Sequence, residues 1–457
     1  MSKSYENLLQ MQKDYFYSGV THDVNFRIKQ LKKLKKALKA NEKKLSEALR
    51  KDLNKSDFEA YLTEMGVLYS EISETIKHVK GWVKPRKVKT PMTHVGSDSY
   101  IYPQPYGVSL IISPWNYPVQ LTIAPLIGAI AAGCCAVIKP SELTPHTSAV
   151  LAHLLQQTFD EQYVAVVEGD VETSTALLAL NFDHIFFTGS VAVGKVVMEV
   201  AAKHLTPITL ELGGKSPTII HEDAKLDIAA KRIAWGKFTN AGQTCVAPDY
   251  LLVHKSVKEP FIKKLIEQIK DQFGEDVSRN SDFPMVVNER HFDRLTGYMQ
   301  DGTILFGGNA IRERRFIEPT ILDHVSWDSK VMEEEIFGPI LPVFEYETEQ
   351  EVIEMVRKRP NPLALYLFTE NKTTEQNIVT HLSFGGGCIN DVIYHVGTSQ
   401  LPFGGVGSSG MGAYHGKYSF DAFSHDKGIL HQSTKMDIPL RYHKAKGGLK
   451  LIKRIMK

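Results

Sequence analysis

Cysteine is scarce in this chain, with four residues in 457. Four thiols in a chain of this length make no disulfide framework, and no metal-ligand spacing accompanies them. A metal site is therefore not expected, and thiols left free suit a reducing, cytoplasmic compartment. Charge of one sign is lacking as well. A formal net charge of +2 gives no footing for nucleic-acid binding. No stretch approaches the ~20 consecutive apolar residues that a membrane-crossing helix needs. The longest apolar region, 119–138, is interrupted by Pro125 and glycines and reads as a buried helix followed by a strand. The opening Met1-Ser-Lys-Ser-Tyr-Glu6 is polar and charged, so no targeting segment is expected. Repeats and low-complexity tracts are missing too.

What remains is an ordinary globular composition, 43% hydrophobic and 23% charged. The length exceeds one core and implies two or three lobes. Leu31, Leu34, Leu38, Leu45 and Leu49 recur at helical spacing through a lysine-rich stretch, which predicts an amphipathic helix with a solvated basic face. Residues 88–103 are polar and β-prone, as a protruding hairpin would be. Strand and helix patterns alternate from 108 to 212, and again from about 217 to 382, the signature of parallel α/β sheets.

One cysteine stands in an unusual setting, Phe238-Thr-Asn-Ala-Gly-Gln-Thr-Cys245-Val-Ala-Pro-Asp249. Ala241 and Gly242 remove bulk just ahead of the sulfur, and Pro248 stops a helix beyond it. A substrate can approach a thiol held on such a turn, and a thiolate is a strong nucleophile. Cys134 and Cys135, in an apolar run, read as core, and Cys388, after three glycines, reads as structural.

Three further segments carry candidate chemistry. In Leu210-Glu211-Leu212-Gly213-Gly214-Lys215, a Glu at a strand end is flanked by leucines. Partial burial there would raise its pKa and suit it to general-base work. In Ile111-Ile-Ser-Pro-Trp-Asn116-Tyr117-Pro118, two prolines forbid helix and ladder pairing, so a rigid turn presents the Asn116 amide as a donor to a developing oxyanion. In Glu333-Glu-Glu335-Ile-Phe337-Gly-Pro339, apolar residues and a Gly-Pro break imply a structured turn. Finally, the strand-like Ile185-Phe-Phe-Thr188 runs into Gly189-Ser190 and a helix expected to begin near Ala192. Strand, glycine turn and helix N-terminus make a dinucleotide phosphate site.

Together these segments resemble the aldehyde dehydrogenase superfamily over nearly the whole chain, from about residue 5 to about 430. The turn Phe-Thr-Gly189-Ser190-Val-Ala-Val-Gly194-Lys195 matches that family's own phosphate turn. Val-Ala-Pro-Asp-Tyr after Cys245, Leu401-Pro-Phe-Gly-Gly and Gly412-Ala-Tyr-His-Gly416 resemble the class 3 and fatty aldehyde dehydrogenase branch. The resemblance implies an α/β fold with a modified Rossmann cofactor domain, a second α/β catalytic domain and a β-arm for oligomerisation. The cofactor domain would span 1–84 and 104–209, and the catalytic domain 210–394. The arm would combine 85–103 with 395–430, leaving 431–457 as a basic tail.

The resemblance also assigns roles. Cys245 would be the nucleophile, Asn116 with the Cys245 amide the oxyanion hole, and Glu211 the base that activates water. Lys139 and Glu142 would bond the adenosine ribose of NAD, and Gly189, Ser190 and Gly194 would form the phosphate turn. Glu335 would bond the nicotinamide ribose, with Phe337 beside the ring; in this branch Glu335 also competes for the base duty. The implied reaction is NAD(P)-dependent oxidation of an aldehyde to a carboxylic acid through a thiohemiacetal and a thioester, with NADP accepted beside NAD. The aldehyde would pass Tyr117 and Phe403 on its way in. A homodimer is implied.

The same residues argue against two rival functions. Acyl-CoA-forming relatives typically lack the glutamate at the Glu211 position, and a non-enzymatic relative would have lost the cysteine or the cofactor residues. Residues 444–457 interleave lysines and Arg454 with apolar residues; they read as a solvated end, with peripheral membrane contact at most.

Overall fold

The computed structural model describes residues 2–438, 441–443 and 448–455. Its centre is a six-stranded sheet in the order Gly410–Met411, Ile208–Glu211, His184–Thr188, Val108–Ile112, Cys135–Lys139, Val164–Val166. All neighbours are parallel except the short Gly410–Met411 pair. Every residue of the strands Val108–Ile112, Cys135–Lys139 and His184–Thr188 is buried. That is why these segments read as continuous apolar runs: a parallel sheet is covered on both faces.

The order of the strands decides where a ligand can sit. The chain leaves Val108–Ile112 in one direction, to Cys135–Lys139 and Val164–Val166. It then returns to the other side as His184–Thr188 and Ile208–Glu211. The strand order therefore reverses beside Val108–Ile112, and crevices of open α/β sheets form at the carboxyl ends of strands at such a point. Register carries Ile112 opposite Lys139 and Thr188 opposite Glu211. The segments holding Asn116, Glu142, Ser190 and Glu211 thus all leave the sheet at one edge.

A second sheet of seven strands runs Thr303–Phe306, Thr320–Asp323, Ile340–Tyr346, Tyr250–His254, Pro217–Ile220, Ala364–Phe368, Gly386–Ile389, parallel except for the first. A third, small sheet joins Arg86–Val88, Ser97–Pro105 and Ser424–Gln432 in antiparallel pairs. This is the expected hairpin with its later strand, and Ser424–Gln432 is exposed along nearly its whole length.

Several expected boundaries shift. The cofactor-side sheet includes Glu211, because the strand Ile208–Glu211 crosses the boundary drawn at 209. Within 395–430, Gly410–Met411 extends the central sheet and the helix Lys417–Ala422 packs on Gln120–Ala132, while the strand paired with Ser97–Pro105 runs on to Gln432. The single helix expected through Leu31–Leu49 is two, Val24–Ala40 and Glu42–Leu53. Asn41 separates them, and its side-chain amide donates back to the Ala37 carbonyl at 2.9 Å, the local bond by which Asn competes with a continuing helix. The apolar run before Lys139 is helix through Ala132, capped by left-handed Gly133, and strand only from Cys135. Pro125 lies inside that helix without ending it. Of the basic tail, 439–440, 444–447 and 456–457 lie outside the described residues, and Gly448–Ile455 is helical. Among the described residues, no helix is long and apolar enough to cross a membrane.

Candidate active site

Cys245 follows a short turn, Thr239–Gly242, whose backbone is unusual. Asn240 and Ala241 both adopt left-handed conformations, φ 52° and 50°, and Gly242 follows at φ 73°. Non-glycine residues rarely hold this region unless their surroundings force them to. Here the surroundings do. The Asn240 amide donates to the backbone carbonyls of Asn116 at 2.9 Å and Gln243 at 3.1 Å. The Asn240 N–H donates to Glu59 at 2.9 Å. Gln243, fully buried, donates to the Asn240 and Met285 carbonyls and accepts from the Val287 N–H.

Two of the other motifs meet this turn. The Asn116 amide donates to the Gln243 carbonyl at 3.1 Å, and the Tyr117 hydroxyl meets the Thr244 hydroxyl at 2.6 Å. A Cβ on Gly242 would strike the Gly338 carbonyl, so the cysteine turn lies directly on Ile-Phe-Gly-Pro. Trp115 meets Phe337 edge-on, with ring centres 5.2 Å apart. Phe337 itself is left-handed, φ 52°.

Glu211 is 2% exposed, and neither carboxylate oxygen has a hydrogen-bond partner. The expected partial burial is in fact complete, and desolvation raises its pKa well above the ordinary carboxylate range. Glu335 is raised well above that range too, by burial and the charge of Asp249, against the opposing pull of Lys215, the Gly214 N–H and Arg294. The Cys245 thiol is pushed up by burial, then by the charges of Glu335 and Glu211, while the N–H groups of Cys245 and Val246 act in the other direction. The sulfur therefore rests as a thiol, with burial and the charges of Glu335 and Glu211 set against its ionisation.

On the cofactor side, Lys139 is 3% exposed and paired with Glu142, whose carboxylate is part-exposed. Ser190 caps the helix Val191–Ala202, accepting from the Val193 N–H, and the first turn at Ala192 and Val193 faces solvent. Gly189 bends the chain over the Phe187 ring, where a Cβ would come within 2.6 Å. Gly194 does different work: a Cβ there would press on Leu212, so this glycine seats the helix against Glu-Leu-Gly-Gly. An open helix N-terminus after a strand at the strand-order reversal, a buried ammonium at the carboxyl end of Cys135–Lys139, and orphaned oxygens on Thr188 and Glu211 fit a dinucleotide.

Tyr117 turns its ring to Lys55 and its hydroxyl to Thr244. Phe403 is 7% exposed, stacked on His415 and bridged to Tyr414. Cys134 and Cys135 are core, as expected, but Cys388 is only half-buried and lies 3.5 Å from His395 Nδ1. The strand Gly386–Ile389 that holds it is an edge strand, which leaves its side uncovered.

Sequence reading passed over Lys215, Asp249 and Arg294. Lys215 pairs with Asp249 and donates to the Val331 and Glu334 carbonyls at 2.9 and 3.0 Å. Asp249 accepts from the Ile336 N–H at 2.9 Å, and Arg294 donates to the Glu335 and Ile336 carbonyls. Together they aim the Glu335 turn. Lys215 and Asp249 closed two of the quoted motifs, and that placement was the available signal; Arg294 gave none.

A strand-order reversal beside an open helix N-terminus, with two buried carboxyls whose charges face the Cys245 thiol, fits the class of α/β oxidoreductases. The chain belongs to the aldehyde dehydrogenase family, which it matches over residues 13–429. It is 48% identical to the 4,4'-diaponeurosporen-aldehyde dehydrogenase of Staphylococcus aureus, across 97% of both chains. It is 44% identical to the dimeric NADP-preferring aldehyde dehydrogenase of Rattus norvegicus, across 94% of this chain and 95% of that one. A solved structure of a substrate-bound Staphylococcus aureus AldH superposes with a TM-score of 0.97 at 48% identity, covering 99% of each. The kinship with class 3 aldehyde dehydrogenases read from the sequence holds. The protein is an NAD(P)-dependent enzyme that oxidises aldehydes to carboxylic acids.

Proposed function

We propose that Cys245 is the nucleophile, that Asn116 and the Cys245 N–H hold the oxyanion, and that Glu211 is the hydrolytic base. What supports this reading best is geometric: the turn before Cys245 is bonded to the Asn116 segment and lies on the Ile-Phe-Gly-Pro turn, and Cys245 itself is only partly buried. The sulfur attacks the aldehyde carbon while its proton passes to a neighbouring carboxylate. One N–H of the Asn116 amide is committed to Gln243, which leaves the other for the oxyanion; such a donor is worth roughly 3 kcal/mol of barrier. The nicotinamide ring, when bound, accepts the hydride that leaves this carbon. Cys245 then carries a thioester. Glu211 takes a proton from water as the water adds to that thioester, and the acid departs with the thiolate as leaving group.

Lys139, Glu142, Gly189 and Ser190 would hold the adenosine and phosphate end of the cofactor, and Glu335 and Phe337 its nicotinamide end. The substrate is an apolar aldehyde that passes Tyr117 and Phe403; the staphylococcal relative is named for 4,4'-diaponeurosporen-aldehyde. The protein works as a cytoplasmic homodimer through the Ser97–Pro105 and Ser424–Gln432 arm, whose exposed Ile429 and Leu430 would gain cover; sedimentation at micromolar concentration tests that.

For the chemistry, Cys245→Ala should abolish NADH formation from a test aldehyde such as benzaldehyde while NADH still binds by fluorescence. Turnover within about tenfold of the parent would overturn the covalent route.

A further inference from the structure

The turn that carries Asn116 is gripped by an ion pair from which the solvent is wholly excluded. Lys55 and Glu64 both have fully buried side chains, and they meet at 2.6 Å. A buried pair of this kind is costly to desolvate and is retained only where every remaining polar atom is used. Each spare atom of this pair reaches one segment. The Lys55 ammonium donates to the Asn116 carbonyl at 2.9 Å and lies 3.9 Å from the centre of the Tyr117 ring. The second Glu64 oxygen accepts from the Val119 N–H at 2.8 Å and the Gln120 N–H at 3.2 Å.

Lys55 therefore holds the middle of the turn, and Glu64 holds its exit into the helix Gln120–Ala132. The Asn116 carbonyl also accepts from Asn240, so the same oxygen ties the lysine to the left-handed bend before Cys245. Local structure around the pair is special as well. Tyr61–Met65 forms one π-helical turn, which brings Glu64 inward; single π-turns inside helices recur at functional sites.

We infer that Lys55 and Glu64 are positioning residues for aldehyde oxidation: the pair fixes the peptide of Asn116 so that its side-chain amide points where the oxyanion forms. The inference rests on Asn116 being the oxyanion donor. Neither residue touches substrate; both act through the turn.

The test compares Asn116→Ala, Lys55→Met, their combination, and Lys55→Met/Glu64→Gln, which removes both charges of the pair if Lys55→Met alone does not fold. Three rates are read on the full-length protein: NADH formation with saturating aldehyde, hydrolysis of 4-nitrophenyl acetate without cofactor, and alkylation of Cys245 by iodoacetamide. The first two pass through an oxyanion and the third does not. Asn116→Ala should slow the first two by about 100-fold or more. Lys55→Met, or the neutral pair, should slow both by at least about tenfold at unchanged KM, with alkylation unaltered. Combined with Asn116→Ala, it should cost nothing further, as groups acting through one another are not additive.

A silent Asn116→Ala removes the donor itself and overturns the proposed site together with the inference. A costly Asn116→Ala beside a silent, multiplicative or alkylation-slowing change at Lys55 overturns the inference alone.

Discussion

Glu335 occupies the space that a side chain on Gly213 would need, since a Cβ built there falls on the Glu335 carboxylate. The Gly214 N–H faces the same carboxylate. Two motifs far apart in sequence are thus halves of one joint: Glu-Leu-Gly-Gly-Lys supplies the floor on which Glu-Ile-Phe-Gly-Pro sets its glutamate. Gly213→Ala should push Glu335 out of place while leaving the thiol and Glu211 where they are. The expected result is a loss of about tenfold or more in kcat with a folded protein, and little change in ester hydrolysis, which needs no nicotinamide. Equal loss in both reactions would show that the glycine serves the thiol turn instead.

Lys139 and Glu142 give a handle on cofactor choice. Glu142 is the exposed partner of a buried lysine, and a 2′-phosphate on the adenosine ribose would approach its charge. Two like charges about 4 Å apart cost about 1 kcal/mol in water, roughly a fivefold change in affinity. Glu142→Gln should shift the ratio of kcat/KM for NADP over NAD upward by about that factor. A ratio that stays put, or falls, would remove Glu142 from the ribose site.

Much of this arrangement was legible in the sequence because chemistry and local backbone rules coincide there. Gly189-Ser190 after a buried strand, Asn116 between prolines, and Glu211 before two glycines each sit where the chain must turn at a sheet edge. Asn41 shows where such reading stops. Leucines at helical spacing continue straight through it, yet one helix ends there, with the Asn41 backbone turned and its side chain bonded back to Ala37. Lys55 and Glu64 were hidden for a different reason. A Lys and a Glu nine positions apart in a charged helical region look like surface, and only the π-turn and the approach of the Asn116 turn bury them. Cys388 reads from the sequence only as structural, because three glycines before it do not say whether its strand is central or at an edge.

The pH dependence of thiol chemistry follows from the groups facing Cys245. Burial and the charges of Glu335 and Glu211 all raise its pKa, so the thiolate fraction is small at neutral pH and grows as pH rises. Alkylation by iodoacetamide should therefore speed up through the alkaline range without levelling off near neutrality. Each carboxylate raises the thiol only when ionised. Glu211→Gln and Glu335→Gln should accordingly alkylate faster than the parent, and the gap should open above the pH at which those carboxyls lose their protons. Peptide mapping should find Cys245 and the half-buried Cys388 modified, with Cys134 and Cys135 protected. Slower alkylation of both variants would mean that the carboxylates serve the thiol as bases more than they oppose its charge.

The division of labour between Glu211 and Glu335 is the sharpest remaining test. Glu211 has both oxygens free and buried at the carboxyl end of its strand, poised for water. Glu335 is fixed from below by glycine and aimed by the Lys215, Asp249 and Arg294 network. If Glu211 activates the deacylating water, Glu211→Gln should still attack aldehyde and release hydride once, because neither step needs that oxygen as base. Rapid mixing with NAD and aldehyde should give a burst of about one NADH per active site, then slow turnover, the pattern of an accumulating acyl-enzyme. Intact mass should show the acyl group on Cys245. In the parent, the elevated pKa of Glu211 places the rising limb of deacylation at higher pH than an ordinary carboxylate would, since only the ionised form accepts the proton. Glu335→Gln should instead shrink the burst rate, leave no adduct, and keep that limb in place. An adduct that builds up with Glu335→Gln and not with Glu211→Gln would exchange the two roles.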